Sequence, residues 1–298
     1  MRRKRILLSV TLVTIPIGAL LLFASGRLSG RTRAPQVGSP AIQYIRCAQL
    51  QAPLCNALNA VGNRLQKPGM ERLAIYGTLT FSVASGAGNE YTIRLITEFP
   101  HHLRLEEWVP LGAVQSNPTR IIGFDGRQAW SNAGALTPQE LGLIESIVFD
   151  LPDHFFIGQM SHLATRPLGK GFRADNGANP NYTGPFYDIY QVFDQTTMAG
   201  QSSFRPKLYY FRSDNQRVER VRYQMALVNA PLINPVNVDI RMPIWSSVSG
   251  QQLATAIERT ENGSSVWTLS LNSSTAILSP RADDGMFSPL SLFCNPCY

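Results

Sequence analysis

The stretch that decides the fold runs from Ile75 to Trp130: IYGTLTFSVASGAGNEYTIRLITEFPHHLRLEEWVPLGAVQSNPTRIIGFDGRQAW. Ile75, Leu79, Phe81 and Val83 fall on one face of an extended chain, and Thr78, Thr80 and Ser82 on the other. Tyr91, Ile93 and Leu95 repeat that period of two, the mark of a sheet with one buried face. Asp125-Gly126 sits between IIGF and RQAW, where a tight hairpin favours positive φ. The stretch reads as a four-strand meander.

The pattern continues after an interruption. Thr137-Pro138-Gln139-Glu140 is a capping box with proline at the first helical position. Leu141, Ile144, Ile147 and Val148 then form an apolar stripe. A second start at Leu151-Pro152-Asp153 leads into Phe155, Phe156, Ile157, Met160 and Leu163. Residues 164–185 read as a long loop rich in Gly, Asn and Pro, either a lid or an insertion. Beyond it FYDIYQVFD, PKLYYFRS, QRVERVRYQMAL, NVDIRMPIW, QLATAIERT and SSVWTLSLN read as strands, with a turn at Glu261-Asn262-Gly263. No βαβ alternation occurs, which disfavours a parallel sheet. The expectation is a mainly β (α+β) chain with one antiparallel sheet of roughly nine to eleven strands, which must curl at that size.

Before the meander, Ile42, Ile45, Leu50, Leu54, Leu58, Val61 and Leu65 recur at helical spacing, and Pro53 is expected to break that helix in two. Further upstream, Met1-Arg2-Arg3-Lys4-Arg5 precedes an apolar run from Ile6 to Ala24. A basic start and a hydrophobic run read as a secretory signal or a retained membrane anchor over residues 1–26. Residues 27–40 read as a linker and 41–298 as the folded body. The body is expected in the periplasm or cell envelope, with inner-membrane association through residues 6–24 if the segment is retained.

Charge supports that division. The chain carries +7, but residues 1–70 hold ten Lys/Arg and no carboxylate, leaving residues 71–298 near −3. A nucleic-acid footprint needs a basic face on the folded part, and none is visible. Export permits disulfides, and Cys47, Cys55, Cys294 and Cys297 allow three pairings, left open here. No metalloprotease, nucleophile-elbow, phosphate-loop or dinucleotide motif is present. Glu106 and Glu107 are adjacent on a strand and point to opposite faces. No enzyme, cofactor or metal site is expected.

Pro100, Arg104 and the Asp125-Gly126 turn closed by Trp130 resemble the pattern of bacterial LolA/LolB-type periplasmic lipoprotein carriers. The resemblance spans roughly residues 42–290. It implies a single curved antiparallel sheet forming a half-barrel, with short helices plugging its concave face and a greasy cavity between. It also implies a lipid, an acyl chain or a lipidated peptide as ligand, bound without covalent chemistry. The walls would then fall to Leu79, Phe81, Tyr91, Ile93, Leu95, Phe155, Phe156, Met160, Tyr223 and Met225, with Arg104 as a polar group at the lid or mouth. The same fold also serves as an envelope sensor or scaffold that binds a partner protein, which is the alternative.

Overall fold

The computed structural model describes residues 44–62, 64–83, 86–108, 117–160, 165–173, 177–198, 201–225, 235–282 and 284–289. The expectations for residues 1–40, Cys294 and Cys297 therefore lie outside the described residues. Ile42–Tyr298 forms one compact unit. Among the described residues, no helix is long and apolar enough to cross a membrane.

The meander opens with β1 (Arg72–Val83), β2 (Gly86–Glu98), β3 (His102–Trp108), β4 (Arg120–Asp125) and β5 (Ala129–Ser131). Helices α2 (Pro138–Phe149) and α3 (Pro152–Met160) follow α1 (Ala52–Val61) in the chain. The second strand group is β6 (Thr165–Arg173), β7 (Phe186–Met198), β8 (Gln201–Arg212), β9 (Val218–Met225), β10 (Val236–Val248), β11 (Gln251–Glu261), β12 (Ser264–Leu271) and β13 (Ile277–Ser279). All pairings are antiparallel. β1 pairs with β12, so the two meanders join into one open sheet with β5 and β6 at its ends, and β13 adds to β1. The sheet is a half-barrel, and the short helices cover its concave face.

Two local expectations change. Among the described residues the sheet has thirteen strands rather than nine to eleven. Two of the additional strands, β5 and β13, are three residues long, too short for alternation to register. The helical run before the meander is divided at Pro53 as expected, into a 3-10 turn (Cys47–Gln49) and α1, which begins at Ala52 after an extended Gln51; a proline in the first turn forfeits no hydrogen bond. The expected loop over 164–185 contains β6, a bulged edge strand paired with β7. Its Pro167, Gly169 and Gly171 read as loop residues, yet proline and bulges are tolerated at a sheet edge.

The helix start at α2 is built as the sequence reads. Thr137 Oγ1 accepts from Glu140 N at 3.2 Å, and Glu140 Oε2 accepts from Thr137 N at 2.7 Å. From α2, Leu143, Ile144, Ile147, Val148 and Phe149 are buried against Leu79, Ile93, Leu105, Ile122, Ile240, Ile257 and Leu269 of the sheet. Each such side chain contributes about 1.5–3 kcal/mol on leaving water. At the hairpin between β4 and β5, the positive φ of 88° falls on Gly126. Asp125 Oδ1 accepts from the backbone N–H groups of Arg127 and Gln128 at 2.9 and 2.8 Å.

The convex face is also covered near β1–β5. Residues 281–282 and 284–287 lie on it, where Arg72 reaches Asp284 at 2.6 Å and Trp130 Nε1 donates to Phe287 O at 2.8 Å. Trp130 packs on Gly123, whose hydrogen stands where a Cβ would lie 2.4 Å from Trp130 Cζ2. Cys47 and Cys55 are joined as a disulfide at the start of α1.

Candidate functional site

A cavity of about 90 Å³ lies between the helices and the concave face. Leu73 and Ile75 of β1 and Leu95 of β2 form its floor, and Val61 of α1 with Ile147 and Val148 of α2 its roof. The hairpin between β10 and β11 closes one side with Trp245, Leu253 and Ala254. Trp245 is held there by its Nε1–H donating to Met242 O at 3.0 Å.

The rim is polar. Arg64, Thr97, Glu98, His101, His102 and Asp153 all border the cavity, together with Pro100, which follows a cis peptide bond. Arg64 Nη1 lies 3.0 Å from Asp153 Oδ2, and Arg64 Nη2 donates to Thr97 Oγ1 at 3.2 Å. Its backbone N–H donates to Gln251 Oε1 at 2.6 Å, so one arginine ties the turn after α1 to β2, β11 and α3. The rings of His101 and His154 lie 5.2 Å apart, tilted to one another, beside Phe149. Burial, with Arg281 and Arg72 nearby, holds the His102 imidazole below its ordinary value, whereas Asp125 acts the other way. Burial raises the Glu98 carboxyl despite its ion pair with Arg72.

The sequence-derived wall residues take different places. Leu95 borders the cavity. Leu79, Phe81 and Ile93 lie on the same face farther along the sheet, in the filled core, with Tyr91 edge-on to Phe81 at 6.2 Å. Phe155 and Phe156 are fully buried. Phe155 packs on Tyr209 and Phe211 at centroid distances of 4.8 and 5.0 Å, filling space rather than lining a void. Tyr223 turns its hydroxyl to Asp150 Oδ2 at 3.0 Å, and Met225 Sδ accepts from Arg259 Nη2 at 3.5 Å. The side chain of Met160 lies outside the described residues.

Arg104 is on the convex face. It alternates with the buried Leu103 and Leu105, pairs with Glu106 at 2.8 Å and donates to Met286 O at 3.1 Å. The arginine at the cavity mouth is Arg64, which sits in a turn with no periodicity to mark it.

A second polar group escaped the sequence reading. Lys207 and Asp150 are buried and 2.8 Å apart, at the corner between α2 and α3. Lys207 Nζ also donates to Phe149 O at 3.0 Å, a cation at a helix C-terminus. Next to it Arg259, 1% exposed, donates to Gly142 O at 3.0 Å and to Ser146 Oγ at 2.9 Å. A signal did exist: Lys207 alternates in phase with Tyr209 and Phe211, and Arg259 with Leu253 and Ile257, so both charges fall on core-facing positions. The network fastens the C-terminal half of α2 to β8, β9 and β11, directly behind the cavity-lining residues Ile147, Val148, Leu151 and Asp153. Among the described residues, no group of three His, Cys, Asp or Glu side chains is placed to hold a metal.

No family model matches the chain, and no curated protein matches its sequence. Solved structures match its course. A LolA superfamily protein from Nitrosomonas europaea aligns at a TM-score of 0.49 and 11% identity, covering 78% of this chain and 96% of that one. A DUF1329 family protein from Desulfovibrio piger aligns at 0.48 and 9% identity, covering 80% and 96%. A domain from Vibrio parahaemolyticus named for outer-membrane lipoprotein sorting aligns at 0.46 and 8% identity, covering 83% and 99%. The chain is similar to these in fold.

Proposed function

We propose that this protein binds an apolar chain, from a lipid, a fatty acid or a lipidated peptide, between its helices and the concave face of its sheet. Binding is non-covalent, and the basic start and apolar run of residues 1–24 support an envelope location for the body. The observation that carries this reading is the cavity itself: apolar on its floor and roof, polar at the rim, and crossed at its mouth by the Arg64–Asp153 ion pair. Ligand pockets combine these features, with apolar walls and a few polar groups that fix orientation.

The volume sets a condition. About 90 Å³ is well below the ~300–1,000 Å³ of ligand pockets, so an acyl chain enters only if α1 lifts from the β10–β11 hairpin. The Lys207–Asp150 corner holds the cavity-lining end of α2 to the sheet, so opening has to break the partly exposed Arg64–Asp153 pair and lift α1 from that fixed corner.

Native mass spectrometry of residues 42–298 from an exported preparation, followed by organic extraction, tests the reading. The expected result is a co-purifying lipid or uptake of a fluorescent fatty acid, with a change in Trp245 emission. Leu253→Trp, which fills the cavity, then abolishes uptake. Protein that is empty and takes up no fatty acid overturns the proposal.

A further inference from the structure

Three of the five large apolar side chains that are exposed among the described residues lie on one ribbon, β6–β7. They are Leu168, Phe172 and Phe186, at 40, 42 and 47% exposure. Phe172 stands opposite Tyr187 in register and Phe186 opposite Arg173. Adjacent residues on a strand point to opposite faces, so the outer end of the ribbon carries a phenyl ring on each face. Tyr182 packs edge-on to Phe186 at 5.7 Å, beneath the guanidinium of Arg173.

Charge marks the same place. The body from residue 71 onward is near −3, yet β6 carries Arg166, Lys170 and Arg173 and no carboxylate, and Asp175 is the one acid between residues 165 and 187. Arg166 and Lys170 are exposed. An edge strand of this kind is a poor template for another strand. Pro167 lacks an N–H, and the register shifts between Pro167 and Gly169 and again between Gly169 and Phe172. What remains is a narrow wedge of aromatic and aliphatic groups flanked by cations that can reach outward. That is the composition of a surface that sits in the headgroup region of an anionic bilayer.

We infer that the β6–β7 ribbon docks the protein on an anionic lipid surface, with Phe172 and Phe186 entering the interface and Arg166 and Lys170 meeting lipid phosphates. The inference deepens the apolar-chain reading and rests on it, because a protein that exchanges such a chain must meet the surface that holds it. The cavity and the ribbon involve no common residue, so each can fail without the other.

Flotation of residues 42–298 with vesicles of phosphatidylcholine, with and without 30% phosphatidylglycerol (~30 mol%, enough for a negative surface), tests it. Binding is expected only to the anionic vesicles and is expected to weaken with salt. Arg166→Glu with Lys170→Glu should reduce affinity more than ten-fold, at roughly five-fold or more per cation. Phe172→Ser with Phe186→Ser should reduce it at low and high salt alike. Both variants should still take up fluorescent fatty acid, which shows that the body is folded. Wild-type protein that ignores anionic vesicles, or ribbon variants that bind them undiminished, overturns the inference. So does a ribbon variant whose only change is a loss of self-association, which would make the wedge a contact between copies. Failure of fatty-acid uptake by the wild type, with vesicle binding intact, would instead count against the cavity.

Discussion

Arg64 and Asp153 meet 3.0 Å apart at the cavity mouth, joining the turn after α1 to the first turn of α3. The Asp153 side chain is 40% exposed, and an ion pair so wet contributes about 0–1 kcal/mol to stability. Its effect on opening is expected to exceed its effect on folding, because it spans the mouth between the turn after α1 and the start of α3. Asp153→Asn is therefore expected to shift the thermal midpoint by no more than about 4 °C while speeding fatty-acid uptake several-fold in stopped-flow fluorescence. An unchanged uptake rate would remove this pair from the entry step.

Glu107 gives the protein a pH signature. Its strand position faces the core and it is 3% exposed. Burial first, then the nearby Glu140 carboxylate, raises its carboxyl to about 7, although Arg120 acts the other way. An acid whose pKa rises on folding contributes most below its unfolded value near 4.5 and loses that contribution as pH climbs to about 7. The opposite slope comes from Glu140, where Arg120 and the Thr137 cap outweigh burial and hold the carboxyl low. The Glu107 effect must therefore be read as a difference between variants. Urea unfolding of Glu107→Gln should match wild type near pH 4.5 and exceed it by up to about 3 kcal/mol at pH 8. Parallel pH profiles would refute the assignment.

Lys207 and Asp150 lie 2.8 Å apart with side chains 1% and 0% exposed. Removing one member of a buried pair strands the other charge, at a cost of about 3–5 kcal/mol. Lys207→Met is expected to lose that much in chemical denaturation. Lys207→Met combined with Asp150→Leu should recover part of the loss, since no isolated charge is left. A double variant worse than the single one would mean that the Tyr223 hydroxyl depends on Asp150 more than on charge balance.

The sheet was legible because one of its faces is buried almost throughout, and that writes a period of two into β1, β2, β9 and β11. The α2 start was equally plain, since a capping box uses local hydrogen bonds. Edge strands were not. β6 has neither face well covered, so nothing selects alternation there, and its Gly and Pro residues resemble those of a loop. The cavity was misplaced for a different reason. Alternation identifies which residues face inward but not which of them meet another side chain, so Phe155 and Phe156 looked like walls and are in fact filling. Arg64 and Arg104 exchanged roles because a turn residue carries no phase, while Arg104 carries one that points outward. The inward charges Glu107, Lys207 and Arg259 were present as breaks in an apolar phase, and the carboxylates they face, Glu140, Asp150 and Glu145, come from a helix whose docking no local pattern announces.

The Asp125-Gly126 turn and Trp130 leave one more consequence to measure. Trp130 is 6% exposed and lies against Gly123 of the paired strand. A Cβ at Gly123 would stand 2.4 and 2.5 Å from two indole carbons and 2.9 Å from the Leu103 carbonyl oxygen. The strand cannot move away, because β3 pairs with it on the other side, from His102 to Glu107. The indole must therefore shift, and shifting lengthens its 2.8 Å hydrogen bond to Phe287 O, which pins residues 284–287 on the convex face. Gly123→Ala is expected to cost about 1–3 kcal/mol through overpacking and to raise amide exchange around Met286 and Phe287. Trp130→Phe keeps the ring on Gly123 but removes the N–H donor. It should raise the same exchange while costing only the ~0.5–1.5 kcal/mol of a typical hydrogen bond and the smaller ring's contacts. If Gly123→Ala destabilises the sheet but leaves exchange at 286 and 287 unchanged, Trp130 packs on the strand without holding the segment.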